Sequence, residues 1–194
     1  MTPTGTETLE ASVIRDYDSG LPLDISGQIF AAVIDEGSAN PLGGLTFVYQ
    51  INNDAGNLEG VEFSTEGSFA GFLTDVFYTT DGSLLDSGFF SDGTVQPLEA
   101  SRSSTGAVVT FLFNAANSEN KIEAGETSLV FLIRTNAPTY TLGTTSVQNQ
   151  GVDQVVTFAP ALEVVPEPAS LLLFGMGLMG AGAAIRRKRK QQQA

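Results

Sequence analysis

Hydrophobic and polar positions alternate in short bursts along the first 160 residues. In "GLTFVYQI" (44–51) the alternation puts Phe47, Tyr49 and Ile51 on one face, as a half-buried strand requires. "QIFAAVI" (28–34), "VEF" (61–63), "TDVFYTT" (74–80), "AVVTFLF" (107–113), "SLVFLIRT" (128–135) and "DQVVTFAP" (153–160) read as further strands. The stretches between them, "NNDAGN", "TDGS", "SDGT", "NSEN" and "EAGET", carry turn chemistry. Gly and Asn there tolerate positive φ, and Asp or Ser bonds its own backbone. No window before residue 165 sustains a 3.6-residue period. The prediction is an all-β domain, an antiparallel β-sandwich of immunoglobulin-like or jelly-roll-like type, with a small barrel as the competing closure. The runs at 107–113 and 128–135 are apolar on consecutive residues, so both strands are expected to be central and covered on both faces.

The pattern changes near the C-terminus. "APALEVVPEP" (159–168) reads as a stiff spacer, because each proline disfavours the helical region for the residue before it. Ala169 to Ile185 then holds 17 uncharged residues, of which only Ser170 is polar. As a helix this run spans about 25 Å against a hydrocarbon core of about 30 Å. Snorkelling arginines at its end make up part of the difference. Gly177, Gly180, Ala181 and Ala184 share one face of that helix, a surface that lets another membrane helix approach closely. The predicted layout is a β-sandwich over 1–158, a Pro-containing linker over 159–170, a transmembrane helix over 171–185 and a basic cytoplasmic tail over 186–194.

Charge sharpens this layout. All 22 acidic residues lie at or before Glu167, with only Arg15, Arg102, Lys121 and Arg134 to offset them, so the body carries −18. Arg186, Arg187, Lys188, Arg189 and Lys190 give the tail +5. So acidic a body repels phosphates, which excludes nucleic acid as a partner. Cations stay on the cytoplasmic side, so Arg186–Lys190 are expected inside and the body outside. An outside body needs an export signal, and "MTPTGTETLEASVIRDYDSG" lacks a basic start and an apolar core. The expectation is a signal peptide encoded upstream of Met1.

Candidate chemistry in the body is sparse. The chain has no Cys and no His, which removes disulfides, thiol nucleophiles, histidine bases and the common zinc sites. Lys121, the one lysine of the body, sits in the turn-like "SENK". Asp75, Asp81, Asp86, Asp92 and Glu99 crowd one region, but most belong to DG or DS turns, where Asp serves the backbone. The body is therefore read as no enzyme. No cofactor is expected either. Calcium is the remaining option, since "NNDAGN" (52–57) and "DGSLLDSGFFSDG" (81–93) offer oxygens, though neither has EF-hand spacing. Tyr78, Phe89, Phe90 and Tyr140 are candidate aromatics for a carbohydrate site. Phe89 and Phe90 cannot both face one core from a regular strand; the expectation is that a loop covers one of them.

"VPEPAS", an apolar stretch and "RRKRK", in that order at the C-terminus, resemble the PEP-CTERM sorting signal of Gram-negative bacteria. The resemblance covers 26 of 194 residues. It implies recognition by exosortase, an integral membrane protease, through Pro166, Glu167 and Pro168 within Val165, Pro166, Glu167, Pro168, Ala169 and Ser170. It further implies a membrane-tethered precursor in the cell envelope, removal of the tail, and a mature product at the surface or outside, linked to exopolysaccharide and biofilm. "EAGETSLVFLIRTNAPTYTLG" (123–143) resembles the β-rich ectodomains carried by such tails. Two readings of the body follow: a structural or interaction protein, or a carbohydrate-binding module on the same tail.

Overall fold

The computed structural model describes residues 7–20, 25–80, 88–114, 120–149 and 151–162. The transmembrane helix predicted for 171–185, the linker beyond 162 and the basic tail lie outside them. Among the described residues no helix is long and apolar enough to cross a membrane. The chain divides into two units, Met1–Leu162 and Glu163–Ala194, and the fold described is that of the first.

Ten strands build it: β1 (Thr8–Asp18), β2 (Ser26–Asp35), β3 (Thr46–Asn53), β4 (Phe63–Glu66), β5 (Thr74–Thr79), β6 (Glu99–Arg102), β7 (Val109–Leu112), β8 (Val130–Thr135), β9 (Thr139–Asn149) and β10 (Gly151–Ala161). One sheet has the order β1-β2-β3-β8-β5 and the other β10-β9-β4-β7-β6. Every pairing between these strands is antiparallel. The chain changes sheet between β3 and β4, β4 and β5, β5 and β6, β7 and β8, and β8 and β9. Such crossings are shared by the immunoglobulin and jelly-roll arrangements that the sequence left open.

β8 is buried at every residue and lies between β3 and β5. Phe131 and Ile133 point into the core between the sheets, where Phe131 meets Phe111, Tyr49 and Phe113 at centroid distances of 4.5, 5.8 and 6.0 Å. Val130 and Leu132 point the other way, into a second cluster with Ala32, Ile34, Val48 and Phe90. The expected two-sided burial is therefore met at β8. It is met only in part at β7, whose Val109 and Phe111 are buried while Thr110 and Leu112 are half-buried. β7 has β6 between it and the sheet's edge.

The second cluster is roofed by a segment around residues 88–96, which the backbone stitches down. Thr94 donates to Thr127 O at 2.9 Å and Leu129 to Val95 O at 2.7 Å. The Gln50 amide, on β3, completes the attachment by donating to Ser91 O at 2.7 Å while its oxygen accepts from Ser91 N at 3.0 Å. Gly93 has to be glycine for this approach, since a Cβ there would lie 1.9 Å from Ser128 O.

One flank of the sandwich is closed by β1 against β10. Arg15 Nε donates to Val156 O at 3.0 Å, and Asp18 N to Asp153 Oδ2 at 2.7 Å. Three strands escape the sequence pattern: β1, β6 and β9. β6 is exposed at all four residues and so has no apolar face to read. β9, "TYTLGTTSVQN", is built of Thr, Ser, Gln and Asn, which mask its inward face. Its Gly143 admits Ala159, whose Cβ would lie 2.5 Å from a Cβ at that position. β10 runs on through Ala159, Pro160 and Ala161, which the predicted layout gives to the linker although the strand read at 153–160 already takes in the first two. Their ladder to Tyr140, Thr141 and Thr139 and the burial of Ala159 and Pro160 outweigh the proline's missing donor.

Phe131→Ala should cost about 3–5 kcal/mol in urea unfolding, because its ring has packed partners on several sides. Leu142→Ala, at a position 69% exposed, should stay within about 0.5 kcal/mol.

Candidate functional site: a lateral groove and the sorting tail

β5 and β6 are the outermost strands of their sheets, one in each. Between them the sandwich is open, leaving a groove of about 360 Å³. Val76, Phe77 and Tyr78 of β5 form one wall, Pro97 to Ala100 the other, and Phe111 of β7 contributes to the lining. Tyr78 is 45% exposed and its hydroxyl donates to Gln96 Oε1 at 3.2 Å. Glu99 adds the groove's one carboxylate. An aromatic ring and a carboxylate beside apolar side chains can contact a ligand that has both apolar faces and hydroxyls.

The other three candidate aromatics are used inside the fold. Phe90 is 4% exposed and sits in the second cluster. Phe89 lies edge-on to Phe90 at 4.9 Å and to Phe30 at 5.8 Å. The two rings belong to a bend rather than a strand, so strand alternation does not separate them; both pack toward the same cluster. Tyr140 packs edge-on against Phe158 at 5.6 Å and its hydroxyl donates to Glu10 O at 3.3 Å.

Among the polar candidates, Lys121 is held by ion pairs. Lys121 contacts Glu62 at 2.9 Å and Glu59 at 3.6 Å. The hydrogen bond to Glu62 holds its ammonium above the ordinary lysine range, a poor state for a base or nucleophile. Asp75 stands opposite Arg134 in the β5–β8 ladder. Arg134 itself forms a buried pair with Glu36, with Nε at 2.8 Å and Nη2 at 2.9 Å from the carboxylate oxygens. Its guanidinium carbon lies 4.3 Å from the centre of the Phe77 ring. Asp81 and Asp86 lie outside the described residues.

In the 52–57 turn the oxygens serve the turn itself. Ser26 Oγ donates to Asp54 Oδ2 at 3.1 Å and to Asn57 Oδ1 at 3.0 Å, and Asn57 Nδ2 donates to Asn53 Oδ1. Among the described residues no group of three or more Asp, Glu, His or Cys is placed to hold a metal. Of the second acidic stretch, 81–87 lies outside the described residues.

The sequence-predicted sorting residues, Val165–Ser170, Gly177, Gly180, Ala181, Ala184 and Arg186–Lys190, all lie outside the described residues. Comparison with protein families bears on them directly. The family model described as the PEP-CTERM protein-sorting motif matches residues 164–189. The chain carries a PEP-CTERM sorting motif. The match takes in every predicted sorting residue except Lys190, one position beyond it. It supports exosortase-dependent sorting of an exported, envelope-associated protein. No curated protein and no solved structure matches the chain.

Sequence reasoning missed two features. The Pro97–Ala100 wall gives no signal, because an exposed four-residue edge strand has no periodicity. Glu66, a carboxylate buried in the core, lies in "FSTEG", a polar stretch with nothing to mark it as interior.

Two outcomes test this assignment of side chains. Millimolar calcium should leave the melting temperature unmoved. A rise of several degrees that disappears in Asp54→Ala would show the 52–57 oxygens to be open to a cation. Glu36→Ala should cost about 3–5 kcal/mol in chemical unfolding, because it strands the Arg134 guanidinium in a buried setting.

Proposed function

We propose that this chain is an exported structural or interaction protein of the cell surface or extracellular matrix. Its C-terminal motif delivers it to exosortase, which removes the tail. The observation that carries this reading is the PEP-CTERM match over residues 164–189. The residue chemistry supports a division of labour. Pro166, Glu167 and Pro168 form a proline-flanked acidic triad, a sequence suited to recognition. Leu171–Ile185 is apolar enough to reside in a membrane, and Arg186–Lys190 fix which end stays in the cytoplasm. The Gly177, Gly180, Ala181 and Ala184 face suits close approach of a helix of the processing enzyme. The body takes part as a folded module without catalysis, cofactor or nucleic acid, and a link to exopolysaccharide belongs to the same reading.

The groove between β5 and β6 favours a second reading, a carbohydrate-binding module on the same tail. Of the four candidate aromatics, Tyr78 lines this groove and is 45% exposed.

Intact-mass analysis of the mature protein tests the first reading. In cells with exosortase the product should lack Arg186–Lys190; in cells without it, or carrying Glu167→Ala, those residues should remain. A mature protein that keeps them in exosortase-competent cells refutes cleavage. For the second reading, binding to a panel of polysaccharides should fall at least tenfold in Tyr78→Ala with the fold intact; no binding to any member would remove it.

A further inference from the structure

Among the described residues, Glu36 and Glu66 are the buried carboxyl groups, and of the two it is Glu36 that has a cation partner. Glu66, on β4, is fully buried. Its Oε1 accepts from Ser64 Oγ at 2.6 Å, two residues back on the same strand. Its Oε2 is hydrogen-bonded to Thr145 Oγ1 of β9, which in turn lies 2.9 Å from Thr157 Oγ1 of β10. From the opposite sheet comes Tyr49 of β3, whose hydroxyl donates to Phe158 O at 3.1 Å. The groups bonded to Glu66 are thus the hydroxyls of Ser64 and Thr145, with Thr157 behind Thr145 and Tyr49 the titratable group near it from β3. The contrast is Glu36, equally hidden but gripped by Arg134.

We propose that Glu66, Ser64, Thr145 and Thr157 form a proton-operated latch across β4, β9 and β10, closed when the carboxyl is protonated and loosened when it ionises. The domain is then firmest in mildly acidic surroundings. The hydroxyl chain allows both states. A neutral Glu66 donates to Thr145 Oγ1, which passes its own proton on to Thr157. An ionised Glu66 forces Thr145 to turn its proton back to the carboxylate, and leaves a full charge in an apolar core with hydroxyl dipoles as its compensation.

Burial pushes the Glu66 carboxyl up to about 7, with the bonds from Ser64 and Thr145 acting in the opposite sense. Its ordinary value in an unfolded chain is 4.5. Between those two values the folded state holds more protons than the unfolded one. The stabilisation contributed by Glu66 is therefore full below about pH 4.5, falls as pH rises toward 7, and is gone beyond. The chain has no histidine, the side chain that ordinarily titrates between about pH 5 and 8.

The test is thermal melting of the full-length chain from pH 5 to 8. The wild type should lose about 5–10 °C over that range. Glu66→Gln keeps the shape without the charge and should remove most of the loss. A Gln variant with the wild-type slope overturns the proposal. If that variant does not fold, infrared spectroscopy of the wild type decides. A buried, protonated carboxylic acid band should be present near pH 6 and gone by pH 8.5; a spectrum without it overturns the proposal as well.

Discussion

A strand that is apolar on both faces needs cover on both, and in this fold that strand is β8. Its inward residues, Phe131 and Ile133, are met by the second sheet through Phe111 and Phe113. Its outward residues, Val130 and Leu132, cannot be met by that sheet at all. They oblige the chain to bring the 88–96 segment across the outer surface, with Phe90 as its buried anchor. Much of what is irregular here follows from this requirement: Gly93 pressed against Ser128, Gln50 bonded to Ser91, and the adjacent phenylalanines turned to one side. A large core between the sheets and a small one on the outer face hold the first sheet in place.

Polar groups inside such a fold need partners, and among the described residues the buried side-chain polar atoms other than Asn149 Oδ1 find them, in two ways. Where the backbone must turn, side chains bind it. Asn53 Nδ2 donates to Glu59 O and Ile122 O at 3.0 and 2.8 Å, and Asn40 Nδ2 to Gly44 O and Thr135 O at 2.6 and 3.0 Å. Each such bond contributes about 1 kcal/mol, and more would be lost if a partner were removed and the other left bare. Where charge is buried, it is either matched, as Glu36 is by Arg134, or left to share hydroxyls, as Glu66 is. With no cysteine in the chain, the fold rests on this packing and bonding without a disulfide.

The strands that sequence periodicity reveals are those whose side chains do the burying. β2, β3, β5, β8 and β10 fall where apolar residues alternate or run together, and Phe47, Tyr49 and Ile51 share the inward face that their spacing predicts. What stays hidden is held by other means. β9 is recruited through its backbone ladder to β10 over eleven residue pairs, and its threonines and serines reveal little of the face they bury. β6 is placed by pairing with β7, and by Arg102, whose guanidinium bonds Phe69 O, Phe72 O and Gly106 O. Pro160 misleads because a proline can sit in an outer strand when its ladder does not call on its missing donor. Glu66 misleads more deeply, since nothing local distinguishes a buried carboxylate from a solvated one. The groove is legible at Tyr78 and not at its far wall, which only the crossing from β5 to β6 brings opposite.

The motif at 164–189 and the sandwich before it answer to different physics, and their sequences show it. A sorting tail works through order along the chain: an extended triad, an apolar run, then cations. That order survives in one dimension, which is why 26 residues suffice to read it. A binding surface works through groups brought together from distant positions. Tyr78 and Phe111 are 33 residues apart, and neither neighbours the other in any local pattern. The address of this protein is therefore written where sequence can be read directly. The groove is written in the crossing of its sheets, and β5 and β6, each an edge strand of its own sheet, frame it.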